Sequence, residues 1–236
     1  LEFCVREELN RTAPRRMAVL KPVKLVITDL PEDHDETFEA VNNPEDANAG
    51  MRPVRFTREM WIERDDFLED PPKKFHRLAP GREVRLRWAY IVKCVDVVKN
   101  EAGEVVEIHC SHDPATRGGG TPDGRKVQGT IHWVSARHAV EAEVRLYDHL
   151  FVSENPDDVP EGVDWLSTVS PASLEVVRGA KVEPALAATP PGGSVQFERT
   201  GYFCADLEEH TPERPVFNRT TTLRDTWAKV QKKADG

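Results

Sequence analysis

The chain has 236 residues, 39% hydrophobic and 31% charged, with a mean hydropathy of −0.55, a composition of folded globular proteins with charged surfaces rather than of disordered or membrane chains. No apolar run approaches the roughly 18 residues needed to span a bilayer, and Leu1 to Arg16 lacks the apolar centre and cleavage site of a signal peptide, so the chain reads as cytoplasmic. The net charge of −9 speaks against indiscriminate coating of nucleic acid, which depends on Lys and Arg displacing counterions along the phosphates.

Phe3, Val5 and Leu9 lie among charges, which predicts a short helix stopped by Asn10 and Pro14. A helix that opens without a cap reads as the end of an upstream domain, so residues 1–16 are assigned as its remnant. After Met17 come short β-branched runs at 23–27, 83–87, 90–93, 95–98, 105–108, 130–134, 142–146 and 194–197. Several alternate apolar and polar residues with period two, the pattern of strands with one buried face. Asn100 to Gly103 predicts a hairpin turn and Gly118 to Gly124 a longer connection. Helical candidates are brief, Phe67 to Glu69 and Ala136 to Ala139, and 18 prolines disfavour longer ones. The chain is therefore predicted to be mainly β, built as barrels or sandwiches, with room for two barrels of roughly 100 residues each. No internal sequence repeat stands out.

Charge is unevenly distributed. Between Lys73 and Lys93 stand Lys73, Lys74, Arg77, Arg82, Arg85, Arg87 and Lys93 against Glu83 alone, a local basic face on an acidic protein. Arg85 and Arg87, two apart on a predicted strand, emerge on one face while Val84 and Leu86 enter the core. Their planar forks can bond two acceptors of a phosphate or base edge; the same spacing also describes a solvated face balanced by carboxylates. Phe75, Trp88 and Tyr90 could stack splayed bases or fill a core. Gln196 and Glu198 share a strand face, followed by Arg199, and could read base edges.

Evidence for catalysis is lacking. Cys4, Cys94, Cys110 and Cys204 form no CxxC pair and read as idle thiols. His109-Cys110-Ser111-His112 has no second cluster to complete a metal site and reads as a surface histidine pair. Gly118-Gly119-Gly120 is not a phosphate-binding loop, and no nucleophile elbow is present.

Five blocks carry a family resemblance: 13–19; 81–87; 123–127 continuing through 129–135; 196–199 with 201–204; and 217–220 with 223–227. In this order they resemble the C-terminal half of bacterial glutaminyl-tRNA synthetases, class I enzymes. The resemblance implies two six-stranded-type β-barrels related to a 5S-rRNA-binding ribosomal protein, with strands exchanged between them: a first barrel over 17–127, a second over 128–227 and a flexible tail over 228–236. It implies that the barrels hold the three anticodon bases of tRNA-Gln. Arg15, Gln196, Glu198 and Arg199 would surround the middle uridine, Arg77 would meet the third base, a guanine, and Arg85 with Arg87 would take the first. Lys74 and His76 would flank the site, and Arg224 and Thr226 would support backbone contacts. Lys74 and His76 stand where the family often has Gln and Lys, and the segment around Glu45 lacks an Asn found in some members. The family's HxGH and Lys-Met-Ser-Lys-Ser signatures are absent. The resemblance thus implies a monomeric tRNA-binding module that needs no cofactor of its own, bears no catalytic or metal site and contacts no membrane, taken from an enzyme that uses ATP and Mg to attach glutamine to tRNA-Gln. The alternatives are the matching region of an archaeal or eukaryotic-type glutamyl-tRNA synthetase and a stand-alone rRNA-binding protein.

Overall fold

The computed structural model describes residues 1–153, 155 and 158–224. Helix α1, Glu2–Thr12, buries none of its residues and is braced by Arg6 to Glu2 at 2.9 Å and Arg11 to Glu8 at 2.7 Å. It ends where the Ala13 amide bonds the Leu9 carbonyl, one residue before Pro14. Among the described residues, no helix is long and apolar enough to cross a membrane.

The rest is mainly strand. In chain order these are β1 Arg15–Arg16, β2 Ala18–Val19, β3 Pro22–Ile27, β4 Asp35–Val41, β5 Met51–Thr57, β6 Glu59–Glu63, β7 Glu83–Leu86, β8 Ile91–Lys99 and β9 Val105–Asp113. They continue with β10 Thr130–Ile131, β11 Trp133–Ser135, β12 Val140–Tyr147, β13 Leu174–Val182, β14 Ser194–Phe197, β15 Gly201–Ala205 and β16 Val216–Thr222. One seven-stranded sheet has the order β10-β7-β8-β9-β3-β6-β11, another β1-β14-β15-β16-β12-β13-β2, and β4 with β5 forms a separate hairpin.

The two edges of each large sheet are consecutive in the chain. Only His132 separates β10 from β11, and only Met17 separates β1 from β2. A single short run therefore pairs parallel at one end of its sheet and antiparallel at the other, which nearly closes the sheet into a barrel. With each split run taken as one closing strand, both barrels are six-stranded. Their pairings also match step for step: parallel, antiparallel, antiparallel, parallel, antiparallel, antiparallel. The chain supplies the closing strand of the second barrel first, builds the whole first barrel, and then completes the second. That exchange hides the duplication from a linear comparison.

The run from Met17 to Leu20 joins the barrels through the period of a strand. Met17 and Val19 enter the first core, with Trp133, Phe56 and Ile62; Ala18 and Leu20 enter the second, with Phe197, Phe203 and Phe217. A fully buried Met or Leu is worth about 1.5–3 kcal/mol of apolar burial, so each core holds this strand and through it the other barrel.

Several local expectations change in the folded chain. The runs at 90–93 and 95–98 are one strand, β8, with a register shift between Cys94 and Asp96. Phe67 to Glu69 is not helical; one 3-10 turn lies just before it, at Arg64–Asp66. Ala136 to Ala139 is a turn between β11 and β12. Asn100 to Gly103 is the predicted hairpin, with Gly103 at a φ of 79° and the Asn100 amide bonded to the Glu104 carbonyl at 2.9 Å.

Candidate nucleic-acid interface

The equivalent hairpins β7–β8 and β14–β15 face each other where the barrels meet. Val84 and Leu86 on β7 are fully buried, while Arg85 and Arg87 point the other way, as alternation requires. The chain then turns through Trp88, at a φ of 69°. On β14, Val195 and Phe197 fill the core and the chain turns through Arg199, at a φ of 66°. Left-handed conformations at non-glycine residues cost on the order of 1–2 kcal/mol and persist where the surroundings fix them. Here the fixing contacts cross the junction: the Trp88 indole N–H donates to Glu198 at 3.4 Å, and Arg199 grips Asp66 through two hydrogen bonds of 2.6 and 2.7 Å.

Two buried acidic centres organise the arginines. Glu198, 3% exposed, pairs with Arg87, whose guanidinium also lies over the Trp88 ring at 4.7 Å. Arg87 and Glu198 occupy equivalent positions in the two hairpins and meet as opposite charges. Behind them Arg52 bonds Glu183 at 2.8 Å and approaches Glu198 at 3.9 Å, and Arg16 lies 3.7 Å from Glu183. Burial pushes the Glu183 carboxyl above its ordinary range, against the pull of Arg52 and Arg16. Asp66, 1% exposed, binds Arg199 and also Arg77 at 3.2 Å. His132, at the break in the first closing strand, lies with Nδ1 3.1 Å from Arg199 and Nε2 3.6 Å from Glu63. Burial acts to raise the Glu63 carboxyl, yet His132 and the Leu20 and Lys21 amides outweigh it and hold it below its usual value.

Direct contacts thus tie Arg87 to Glu198, and Arg77 to Arg199 through Asp66. Arg15 and Gln196 are register partners across β1 and β14, which places them on the same rim, and Arg15 donates to Asn10 at 3.0 Å. Gln196 and Glu198 are both buried, 7% and 3% exposed. Arg85 lies further along β7, its Nε donating to the Gly119 carbonyl at 2.5 Å. Lys74 and His76 are exposed on the loop before β7, beside an open groove of about 430 Å³ lined by His76, Arg77, Arg82, Lys93 and Lys126. Gly129 seats that loop: a Cβ there would collide with the His76 backbone carbonyl. Arg224 is exposed beyond β16, with no described link to the junction, and Thr226 lies outside the described residues.

Asp66, His132, Arg52 and Glu183 belong to this site and were not singled out from sequence. Only His132, a polar residue inside an apolar run, carried a visible signal. Of the aromatics, Tyr90 is core, bonded through its hydroxyl to Glu36 at 2.9 Å, whereas Trp88 lies at the junction. His109 pairs with Glu107 at 2.6 Å and His112 with Asp29 at 3.0 Å. The four cysteines are free, Cys94 and Cys110 facing each other across β8 and β9. The site gathers forked cations around buried carboxylates, an arrangement suited to binding polar, anionic ligands.

Two family models, both for the anticodon-binding domain of class I tRNA synthetases (E and Q), match residues 13–113 and 130–206. The chain belongs to that family. A glutamine–tRNA ligase of Nitrobacter hamburgensis is 59% identical over 230 residues, 98% of this chain and 40% of the relative. One from Bradyrhizobium diazoefficiens is 56% identical over 97% of this chain and 40% of the relative, and one from Pseudomonas putida 52% identical over 96% and 40%. The chain spans about 40% of the length of these relatives. Both models describe anticodon-binding domains, which have tRNA as their partner.

Proposed function

We propose that the junction reads the anticodon loop of tRNA-Gln, and that the whole protein is an ATP- and Mg-dependent glutamine–tRNA ligase acting as a monomer in the cytoplasm. The observation that carries this reading is the convergence of Arg77, Arg87 and Arg199 from two barrels on buried Asp66 and Glu198, in a chain of the anticodon-binding family. Arg15, Gln196, Glu198 and Arg199 take the middle uridine, Arg77 the third base, and Arg85 with Arg87 the first. Lys74 and His76 supply charge on the adjoining loop, and Arg224 and Thr226 contact the backbone. Without RNA the arginines are satisfied by internal carboxylates; a bound base presents competing acceptors, and the preset forks exchange onto them.

Binding of this chain to an anticodon stem-loop tests the reading, with the middle uridine kept or replaced, at two salt concentrations, beside an Arg85→Ala, Arg87→Ala variant. A bidentate base contact gives ~1–3 kcal/mol of discrimination, whereas phosphate contacts mainly change the salt slope. The expected result is a preference for the cognate loop that the variant weakens. Equal, salt-sensitive binding to both loops would reduce the junction to an electrostatic dock, and preference for a loop ending in cytosine would assign it to the glutamate system.

A further inference from the structure

Asp66 is not among the side chains that face a ligand, yet its carboxylate lies between two that do. It sits in the 3-10 turn Arg64–Asp66 after β6, and its backbone carbonyl accepts the Leu78 amide at 3.0 Å, so the turn is tied to the basic loop. Oδ2 accepts Nη1 of Arg199 at 2.6 Å. Oδ1 accepts Nη2 of Arg199 at 2.7 Å and also faces Nε of Arg77 at 3.2 Å. One carboxylate oxygen is therefore shared by an arginine from each barrel. Both guanidinium groups are then further constrained: Arg199 by His132 at 3.1 Å, Arg77 by the Asp65 carbonyl at 2.9 Å.

A carboxylate that is 1% exposed is paired with two guanidinium groups, which offset the cost of burying it. In return it fixes which edge of each fork stays outward. Arg199 has its terminal edge on Asp66 and, among the described contacts, its side edge, Nε with the second Nη2 hydrogen, carries no partner; its side chain is 28% exposed. Arg77 is 44% exposed. We infer that Asp66 is a positioning residue that sets the discrimination of two anticodon bases at once, the middle one through Arg199 and the third through Arg77, and thereby couples the two readings across the barrel junction. This rests on the anticodon reading proposed above.

The test measures the chain, its Asp66→Asn variant, and Arg77→Ala and Arg199→Ala variants against four stem-loops: cognate and three with one anticodon base changed. Asp66→Asn keeps the shape and removes the charge. The expected result is roughly a tenfold loss of discrimination at the middle and third bases, the scale of one bidentate contact, with first-base discrimination and the salt slope unchanged. A uniform loss across all four loops, or unchanged discrimination, would overturn the inference. The single arginine variants keep it testable if Asp66→Asn proves poorly folded by circular dichroism. Because the two arginines share Oδ1, Arg77→Ala should lower middle-base discrimination as well as third-base discrimination; an effect confined to the third base overturns the coupling. If the unaltered chain shows no preference among the loops, the anticodon reading itself fails, and the inference with it, on a different arm of the experiment.

Discussion

The first barrel presents Arg85, Arg87 and Trp88 on its hairpin; at the equivalent places the second presents Gln196, Glu198 and Arg199. The frame is the same down to the left-handed residue at each turn, but the charges are complementary where the hairpins meet. Had both barrels kept arginine at this position, two cations would share a partly buried junction; with Arg87 opposite Glu198 the two charges offset each other and the remaining arginines are left as donors for a ligand. The cores differ too. The first is a broad cluster with Trp133, Phe56 and Tyr90 in edge contact, while the second centres on Phe197 stacked on Phe203 at 4.0 Å, with Phe217 against them. Pairing pattern sets the barrel, and the residues at its outward positions set what it can meet.

The sharpest way to break this comparison is to damage one core and watch the other. Phe203→Ala should cost about 3–5 kcal/mol by removing a buried aromatic. Because Met17 to Leu20 feeds both cores, both barrels should unfold in one urea transition, with tryptophan fluorescence and far-UV circular dichroism coinciding. Separate transitions would mean that the shared strand does not couple them. Slightly smaller is the expected effect of Glu183→Ala, which strands Arg52 and Arg16 at the junction and should cost about 3 kcal/mol or more in the same assay. Glu183 titrates above its ordinary range, so in the unaltered chain its burial penalty grows as pH rises through the unfolded value and is complete above the folded one. Asn or Gln there should flatten that part of the pH profile. The comparison is tested most directly by exchanging its charges. Arg87→Glu, which sets two carboxylates together, should cost about 2 kcal/mol, and adding Glu198→Arg should restore at least half of it. RNA discrimination should stay lost in the double variant, since the donors then stand on the wrong hairpin.

How much of this was legible depends on the range of the signal. Period-two alternation located β3, β7, β12 and β14, and it placed Arg85 and Arg87 opposite Val84 and Leu86. It did not find β4, β5, β6, β13, β15 or β16, nor the two-residue β1 and β2; in β5 one inward position is the buried Arg52, which interrupts the apolar alternation. The duplication was invisible because the closing strands are exchanged along the chain and the equivalent residues, Arg85-Leu86-Arg87 and Gln196-Phe197-Glu198, share only their apolar centre. The site was half legible. Arginines on a strand announce donors, but Asp66 follows Asp65 in an ordinary acidic stretch, and only folding shows that one is buried against two arginines from distant segments.

The smallest expected effect separates two carboxylates that titrate alike for different reasons. Asp35, on the hairpin that packs on the first barrel, is held down to about 2 chiefly by hydrogen bonding to Arg55, with His138 helping and burial opposing. Asp206, at the end of β15 in the second barrel, is held to about 2 chiefly by the amide of Glu209, then by the Asn218 side chain and the Glu208 amide. Both folded values lie below the ordinary 3.8, so each group contributes stability above that pH and loses it as pH falls through about 2. The causes respond differently to salt. Attraction between the Asp35 carboxylate and the half-exposed Arg55 guanidinium is screened by ions, whereas neutral amide donors to Asp206 are not. Raising salt from about 0.05 M to about 0.5 M should therefore move the Asp35 titration up by about 0.5 unit and that of Asp206 by clearly less. Carboxyl carbon resonances followed by NMR across the acid range would read both groups in one sample. Equal shifts would mean that Arg145, 3.4 Å from Asp206, dominates there, and that both barrels hold their acid-sensitive carboxylates by ion pairing rather than by backbone donors.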